Sequence, residues 1–327
     1  MMVFCTLFNS SYFSRFLAMY RSLKRHCPGY RLYVFPFDNE SMDLLQKMKL
    51  TDIIAIPLSD FEDENLLKVK PFRTKVEYCW TVPPSMIYYI FQNYHEAHCT
   101  YIDADIYFYN DPTALFEEWG NRSVLLTEHR FTPQYDTSAI FGKYCVQYIS
   151  FKNDANGLKA LLWWRDVCIE WCYDRIEDGK FADQKYLDEF SGRFEGIHVL
   201  QHKGGGIAPW NVQQYNFNTD GKSLEAIEKT TGNRFPVIFY HYHYVRFYPD
   251  ATIDIGDYQL TRQTIDIIYK PYLAQLQDIK NELKQYNIGF DPHGPRTIDN
   301  SWNARIIRIK RRIKGRYNRY PVKKLIP

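Results

Sequence analysis

What most constrains the fold is an alternation in the first 110 residues, where short apolar runs trade places with amphipathic segments. "MVFCTLF" reads as a strand, and "SRFLAMYRSLKRHC" as an amphipathic helix stopped by Pro28-Gly29. "RLYVFPFD" follows as a second strand, "SMDLLQKMK" as a short helix and "DIIAIPL" as a third strand. "PPSMIYYIFQNYHE" is a helix opened by prolines, whose fixed φ suits a first turn. "CTYIDADIYFY" closes this half. Strands alternating with helices need crossover connections, which predicts an α/β fold with a Rossmann-like, mostly parallel sheet flanked by helices. Ligands of such sheets sit beyond the carboxyl ends of the strands. Asp103 and Asp105 stand at such an end.

The later half is less regular. "SVLLTEH", "VQYISFK", "IHVL" and "FPVIFYHYHYV" read as strands, "GLKALLWWRDVCIEWCYDRI" as a long helix and "FADQKYLDEF" as a short one. Ile265, Ile268, Tyr272, Leu276, Ile279 and Leu283 recur every three or four positions, the period of an amphipathic helix. No repeat and no clear linker interrupts the 327 residues before about position 290. That length supports a sizeable core. Aromatic residues make up 17% of the chain, an excess that suits a ring-rich core or surfaces that stack on bases and sugar faces. Seven cysteines, none in the two-residue spacing of a zinc ribbon, read as buried thiols in a reducing compartment. The first residues lack the charged region and cleavage site of a signal peptide. No apolar run reaches the roughly 18 residues of a membrane span. A cytoplasmic location is expected.

The aspartate pair has three readings. It can tie down a turn, as Asn110-Asp111-Pro112 does just after it. It can serve as an acid/base pair, or it can hold a hard divalent cation, which prefers oxygen ligands. A strand running on through both residues places them on one face, whereas a short turn makes them converge. Other segments weigh on the choice. "RTKVEYCWTVPP" supplies Arg73, Lys75 and Glu77, "KFADQKYLDEF" supplies Asp183 and Gln184, and "HKGGGIAPWN" sets three glycines before Trp210 and Asn211. Glycines of that kind let backbone approach a ligand closely. "VIFYHYHYVRF" then delivers His241, His243 and Arg246 from one strand. Each has an ordinary explanation alone, and their joint occurrence in this order is the signal.

In that order the segments resemble the glycosyltransferases of the A-type fold, which take nucleotide-sugars and use an Asp-x-Asp motif to hold Mn²⁺ or Mg²⁺. The likeness is nearest to bacterial enzymes of lipopolysaccharide, O-antigen and capsule assembly, relatives of the glycogenin-like group. It spans about residues 1–250, and "YIDADIYFYNDP" and "FADQKYLDEF" are its most specific pieces. The resemblance implies a catalytic domain over 1–290, with a nucleotide-binding half to 110, a donor and acceptor half over 111–250 and a packing helix over 251–290. It implies that Asp103 faces the ribose and the metal, that Asp105 binds the metal, and that His241 is the third ligand with His243 as its alternative. Thr6 and Asn9 are implied at the nucleotide base, and Ala104 in the donor site between the aspartates. Arg73 and Lys75 are implied at the diphosphate or donor sugar, with Glu77 nearby. Asp183 and Gln184 are implied beside the donor sugar, and Trp210, Asn211 and Arg246 around the donor. Two departures stand out: His-Tyr-His-Tyr replaces the family's His-Phe-x-Gly, and Arg246 stands where relatives often place a lysine and a glycine-containing loop. The implied reaction moves a sugar to a glycan or lipid-linked acceptor, with retention of configuration.

Beyond residue 290 comes a tail, 291–327, with ten Lys or Arg between positions 305 and 324. Trp302, Ile306, Ile309 and Ile313 fall at helical spacing within it. A basic amphipathic helix reads as a binder of anionic membrane surfaces, which predicts a peripheral association with the inner face of the cell membrane. Two rivals are weaker. A nucleotidyltransferase making nucleotide-sugars would carry a glycine-rich loop after the first strand, where "TLFNSSYFSRF" has none. A nucleic-acid binder leaves the aspartates and Asp183-Gln184 without a purpose, so no nucleic-acid partner is expected.

Overall fold

The computed structural model describes residues 1–326. Its first half builds β1 (Met2–Phe8), β2 (Tyr30–Pro36), β3 (Ile53–Ala55) and β4 (His98–Ile102), joined by helices that include Phe13–His26, Asn39–Met48 and Pro83–Tyr94. These four strands run parallel. β5 (Ile106–Phe108), β6 (Val124–Glu128), β7 (Tyr144–Lys152) and β8 (Ile197–Val199) follow. The main sheet has the order β3-β2-β1-β4-β7-β6-β8, with β7 antiparallel to both of its neighbours. The expected mostly parallel sheet flanked by helices is the one observed.

Strand periodicity divides the core. Phe4, Leu32 and Val34 face a cluster covered by the helix Phe13–His26, and Val3, Cys5, Tyr33 and Phe35 face a second one. The helices Pro83–Tyr94 and Ala155–Glu170 close that second face. Successive side chains of a strand point to opposite faces, so both faces of these strands are apolar and both need covering.

A smaller sheet sets the site. β9 (Gly205–Ile207) is followed by a hairpin sheet of β10 (Tyr215–Thr219), β11 (Leu224–Glu228) and β12 (Arg234–Pro236), and then by β13 (Phe239–His241). β13 pairs antiparallel with β5 and parallel with β9. The three glycines before Trp210 belong here, and their close approach is to the protein itself, not to a ligand. A Cβ on Gly204 would lie 1.9 Å from the Pro236 carbonyl oxygen, and one on Gly205 would lie 2.6 Å from Leu200 Cδ2.

The helix expected from Ile265 onward is present and ends at Leu283, but it opens with a π-turn over Ile265–Tyr269. The Lys270 N–H donates to the Ile265 carbonyl across that turn, just before Pro271, which has no N–H to give. Beyond residue 290 the chain packs back on the body. β14 (Arg246–Tyr248), β15 (Thr252–Asp254) and β16 (Arg319–Pro321) form one antiparallel sheet. From the helix Trp302–Ile313, Arg311 reaches in to make a two-pronged ion pair with Asp254 at 2.6 and 2.8 Å, and both are buried.

Candidate active site

β4 ends at Ile102 and β5 begins at Ile106, so Asp103, Ala104 and Asp105 form the turn between them. The Asp103 N–H donates to the Gln147 carbonyl oxygen on β7 (3.1 Å), and the Ile106 N–H donates back to the Asp103 carbonyl (3.3 Å). β13 is registered so that His241 lies opposite Ile106, one residue from Asp105. The Tyr242 N–H then donates to the Asp105 carbonyl (2.9 Å). His241 Nε2 lies 3.0 Å from Asp105 Oδ1 and 3.6 Å from Asp103 Oδ2. Ligand atoms of the three side chains lie within 4.8 Å of one another. The convergence comes from the turn rather than from a continuous strand. It needs β13, 136 residues further on, to complete it.

The electrostatics of this cluster suit a cation. Burial works against charge on every member. Against that, His241 holds the Asp105 carboxyl below its ordinary range, and the carboxylates, Asp105 foremost, hold the His241 imidazole well above its own. Asp103, half-buried and facing the charge on Asp105, is pushed up to about 6. His243 is exposed at the cavity, where the surrounding protein and the charge on His241 lower it to about 4. An imidazolium therefore takes the place of positive charge between two carboxylates. The donor set of two carboxylate oxygens and one imidazole nitrogen suits a divalent cation. His241 Nδ1 lies 2.6 Å from Gln147 Oε1, so the ring is already fixed with Nε2 toward the carboxylates. The residues fit a divalent ion.

A cavity of about 810 Å³ opens beside the cluster. Asp103, Asp183, Gln184, Trp210, His241 and His243 line it. Asp183 is buried, and its carboxyl is pushed well above the usual range by that burial and by the charge on Asp103. Gln184 donates to the Phe141 carbonyl oxygen (2.7 Å). Trp210 donates to the His129 carbonyl oxygen (2.8 Å) and stands edge-on to His241. β13 stops at His241, so His243 reaches the same cavity from the turn beyond the strand.

The other candidates lie outside the lining. Thr6 and Asn9 are at the carboxyl end of β1, where Thr6 Oγ1 and Asn9 Oδ1 are buried without partners. Arg73 is buried with its guanidinium over the Tyr173 ring at 3.8 Å, donating to the carbonyl oxygens of Ile169 and Glu170. Lys75 is exposed at the start of the helix Lys75–Thr81. Glu77 closes a reciprocal cap with Thr74 and accepts from the Asp174 N–H (2.9 Å). Asn211 donates to the carbonyl oxygens of His129 and Gly206 and accepts from the Ala208 N–H, so it frames the loop beneath the cavity. Arg246 stacks on Tyr244 at 3.6 Å. Much of the cavity wall was not singled out in the sequence reading, including Gln147 and Cys145 from β7, and Arg316, which stacks on Tyr135 at 4.6 Å. Burial opposes a thiolate at Cys145, but His129 and His241 outweigh it and bring the thiol down to about 7. A signal for Gln147 was available: it is a lone amide in the apolar run "YCVQYISF".

Sheet, turn and cluster together define the A-type glycosyltransferase fold. The galactosyltransferase LgtC, in complex with donor and acceptor sugar analogues, superposes at a TM-score of 0.52 with 12% identity, covering 87% of this chain and 99% of LgtC. WbbM, a bifunctional glycosyltransferase, gives 0.50 with 11% identity, covering 88% of this chain and 51% of WbbM. No family model matches the chain. By sequence it belongs to the family of the uncharacterised protein YfnF of Bacillus subtilis, at 30% identity over 301 residues, 88% of this chain and 96% of YfnF. YfnD of the same bacterium is 29% identical over 303 residues, 88% of this chain and 94% of YfnD.

Proposed function

We propose that the chain is a metal-dependent glycosyltransferase that moves a sugar from a nucleotide-diphosphate sugar to a glycan or lipid-linked acceptor in surface polysaccharide assembly, with retention at the anomeric carbon. The observation that carries this reading is the convergence of Asp103, Asp105 and His241 on the rim of a cavity that also holds the buried carboxyl of Asp183. Those three residues would hold Mn²⁺ or Mg²⁺. Bound there, the ion would supply Lewis-acid stabilisation of the charge that builds on the departing nucleoside diphosphate. The rest falls to the chain's own groups. Thr6 and Asn9 offer unpaired oxygens to the base, and Lys75 and Arg246 are the cations assigned to the diphosphate side. Asp183 and Gln184 orient the donor sugar, and Asp183 faces the carbon on which positive charge develops. Ala104, between the aspartates, is buried in the core and is assigned to the donor site by its position in the turn. Trp210 gives the sugar a flat wall. In a retaining reaction the leaving phosphate can take the acceptor's proton, so no separate strong base is required.

The test is Asp105→Ala. The variant should fold, because the backbone bonds of the turn do not use the side chain, and it should lose metal-dependent transfer by about 10²–10³-fold. Turnover equal to wild type would refute the assignment. A thermal-shift screen of nucleotide-sugars with and without Mn²⁺ identifies the donor, since a ligand of the native state raises its stability by mass action.

A further inference from the structure

Gln147 is fully buried in a strand whose other residues are almost all apolar. A buried amide is costly unless it is bonded. Here the residue's main-chain carbonyl oxygen accepts from the Asp103 N–H at 3.1 Å, and the one bond of its amide leads to the cluster, where Oε1 lies 2.6 Å from His241 Nδ1. Its Nε2 has no hydrogen-bond partner among the described residues. An apolar side chain of the same length would relieve that unpaired donor, so strand stability does not explain the amide.

We infer that Gln147 is the positioning residue of the metal cluster, holding His241 in the tautomer protonated on Nδ1 so that a bare Nε2 faces the ion between Asp103 and Asp105. The inference rests on the metal-dependent reading above and deepens it. The neighbours of Nε2 are carboxylate oxygens at 3.0 and 3.6 Å, so Nε2 is the nitrogen placed to ligate. A ligating nitrogen carries no proton. The ring's single proton must then sit on Nδ1, where it needs an acceptor, and Gln147 Oε1 supplies it. The amide turned over would set N–H against N–H. The space around it is also prepared. A Cβ on Gly206 would come within 3.2 Å of Gln147 Nε2 and 3.0 Å of Thr127 Cγ2, and the backbone there has φ +116°, which favours glycine. The ring of Trp210 meets His241 at 89° with centroids 5.5 Å apart, so the imidazole has little freedom to turn.

The test compares wild type with Gln147→Met and Gln147→Glu by Mn²⁺ titration, followed by electron paramagnetic resonance of the free ion, alongside melting of the metal-free proteins. Loss of an acceptor behind a ligating histidine lowers metal affinity by about 10–100-fold, which is the loss expected for Gln147→Met. Its metal-free melting temperature should change little, because the donor relieved at Gln147 Nε2 is offset by the one left unpaired at His241 Nδ1. Gln147→Glu keeps an acceptor oxygen and should retain most of the affinity. Equal Mn²⁺ affinity in wild type and Gln147→Met overturns the inference and leaves the metal reading intact. A wild type that takes up no Mn²⁺ overturns both. Where the methionine variant does not fold, the glutamate variant decides: retained affinity supports the positioning role, and a loss of about tenfold or more overturns it.

Discussion

Thr6 keeps a fully buried hydroxyl with no partner, and Asn9, three residues on, has an unpaired amide oxygen. Leaving a buried polar group unsatisfied destabilises by about 1–3 kcal/mol. Two such atoms near the end of a central strand, on the side where ligands of parallel sheets bind, are what a nucleotide base would satisfy. Thr6→Val keeps the shape and removes the hydroxyl. Its stability without ligand should equal or exceed wild type. Its affinity for the donor nucleotide should fall about three- to tenfold, the worth of one neutral hydrogen bond. Calorimetric titration checks this, and unaltered affinity would remove Thr6 from the base site. At this scale the sequence was legible where residue type and chain order coincide, as at Asp103 and Asp105. It was less so where orientation decides. Arg73, Glu77 and Asn211 are the right chemical types near the right place, yet their bonds go to a tyrosine ring, a helix end and loop carbonyls. Nothing in a one-dimensional pattern separates a carboxylate that caps a helix from one that faces a ligand.

Among the elements, the helix Trp302–Ile313 keeps an apolar face turned to solvent. Trp302 is 77% exposed and Ile313 81%, with Ile306 and Ile309 between them about half exposed. The basic residues of the same segment surround that face, except Arg311, which is withdrawn into its pair with Asp254. An exposed apolar stripe rimmed by cations fits an anionic bilayer surface. Replacing Ile306, Ile309 and Ile313 together by serine should lower flotation with anionic liposomes by more than about tenfold, because each fully buried isoleucine is worth roughly 1.5–3 kcal/mol. Transfer to a water-soluble acceptor should persist. Flotation unchanged by the triple substitution would end the membrane reading. This helix was legible because it carries its own 3.6-residue period, as were the strands and helices of the first 110 residues. β5, β9, β13 and β16 are three-residue strands, too short to show a period, and their pairing depends on partners far away in the chain. The cluster depends on β5 and β13 among these, which is why its carboxylates could be named from sequence while a continuous strand and a converging turn both stayed open.

For the whole molecule, the segment after residue 290 acts as a fastening. Pro292 and His293 lie against the first long helix: Ser14 N–H donates to the Pro292 carbonyl (3.1 Å), and Arg15 donates to the His293 carbonyl (3.0 Å). The imidazole stacks on Phe247 at 4.1 Å, with Nδ1 2.9 Å from Ser14 Oγ. Its Nε2 is buried without a partner, so a protonated ring would hold an N–H with nowhere to donate. Burial, reinforced by the charges of Lys280 and Arg15 and opposed only by Asp291, lowers this histidine to about 3. The unfolded chain takes up the proton near pH 6.5. Between those values the unfolded state binds a proton that the native state refuses, so stability rises with pH and is lost as the pH falls from about 6.5 toward 3. The slope from this one group approaches about 1.4 kcal/mol per pH unit. Urea melts of wild type at pH 7, 6, 5 and 4 should therefore show a steeper decline than those of His293→Gln, which cannot take up a proton. The difference between the two should vanish above pH 7. Parallel declines would mean that His293 titrates alike in both states and that the fastening is not buried in solution. The steeper wild-type decline would mean that acid weakens the native state through this one buried imidazole, at the start of the segment that carries Arg316 into the cavity wall.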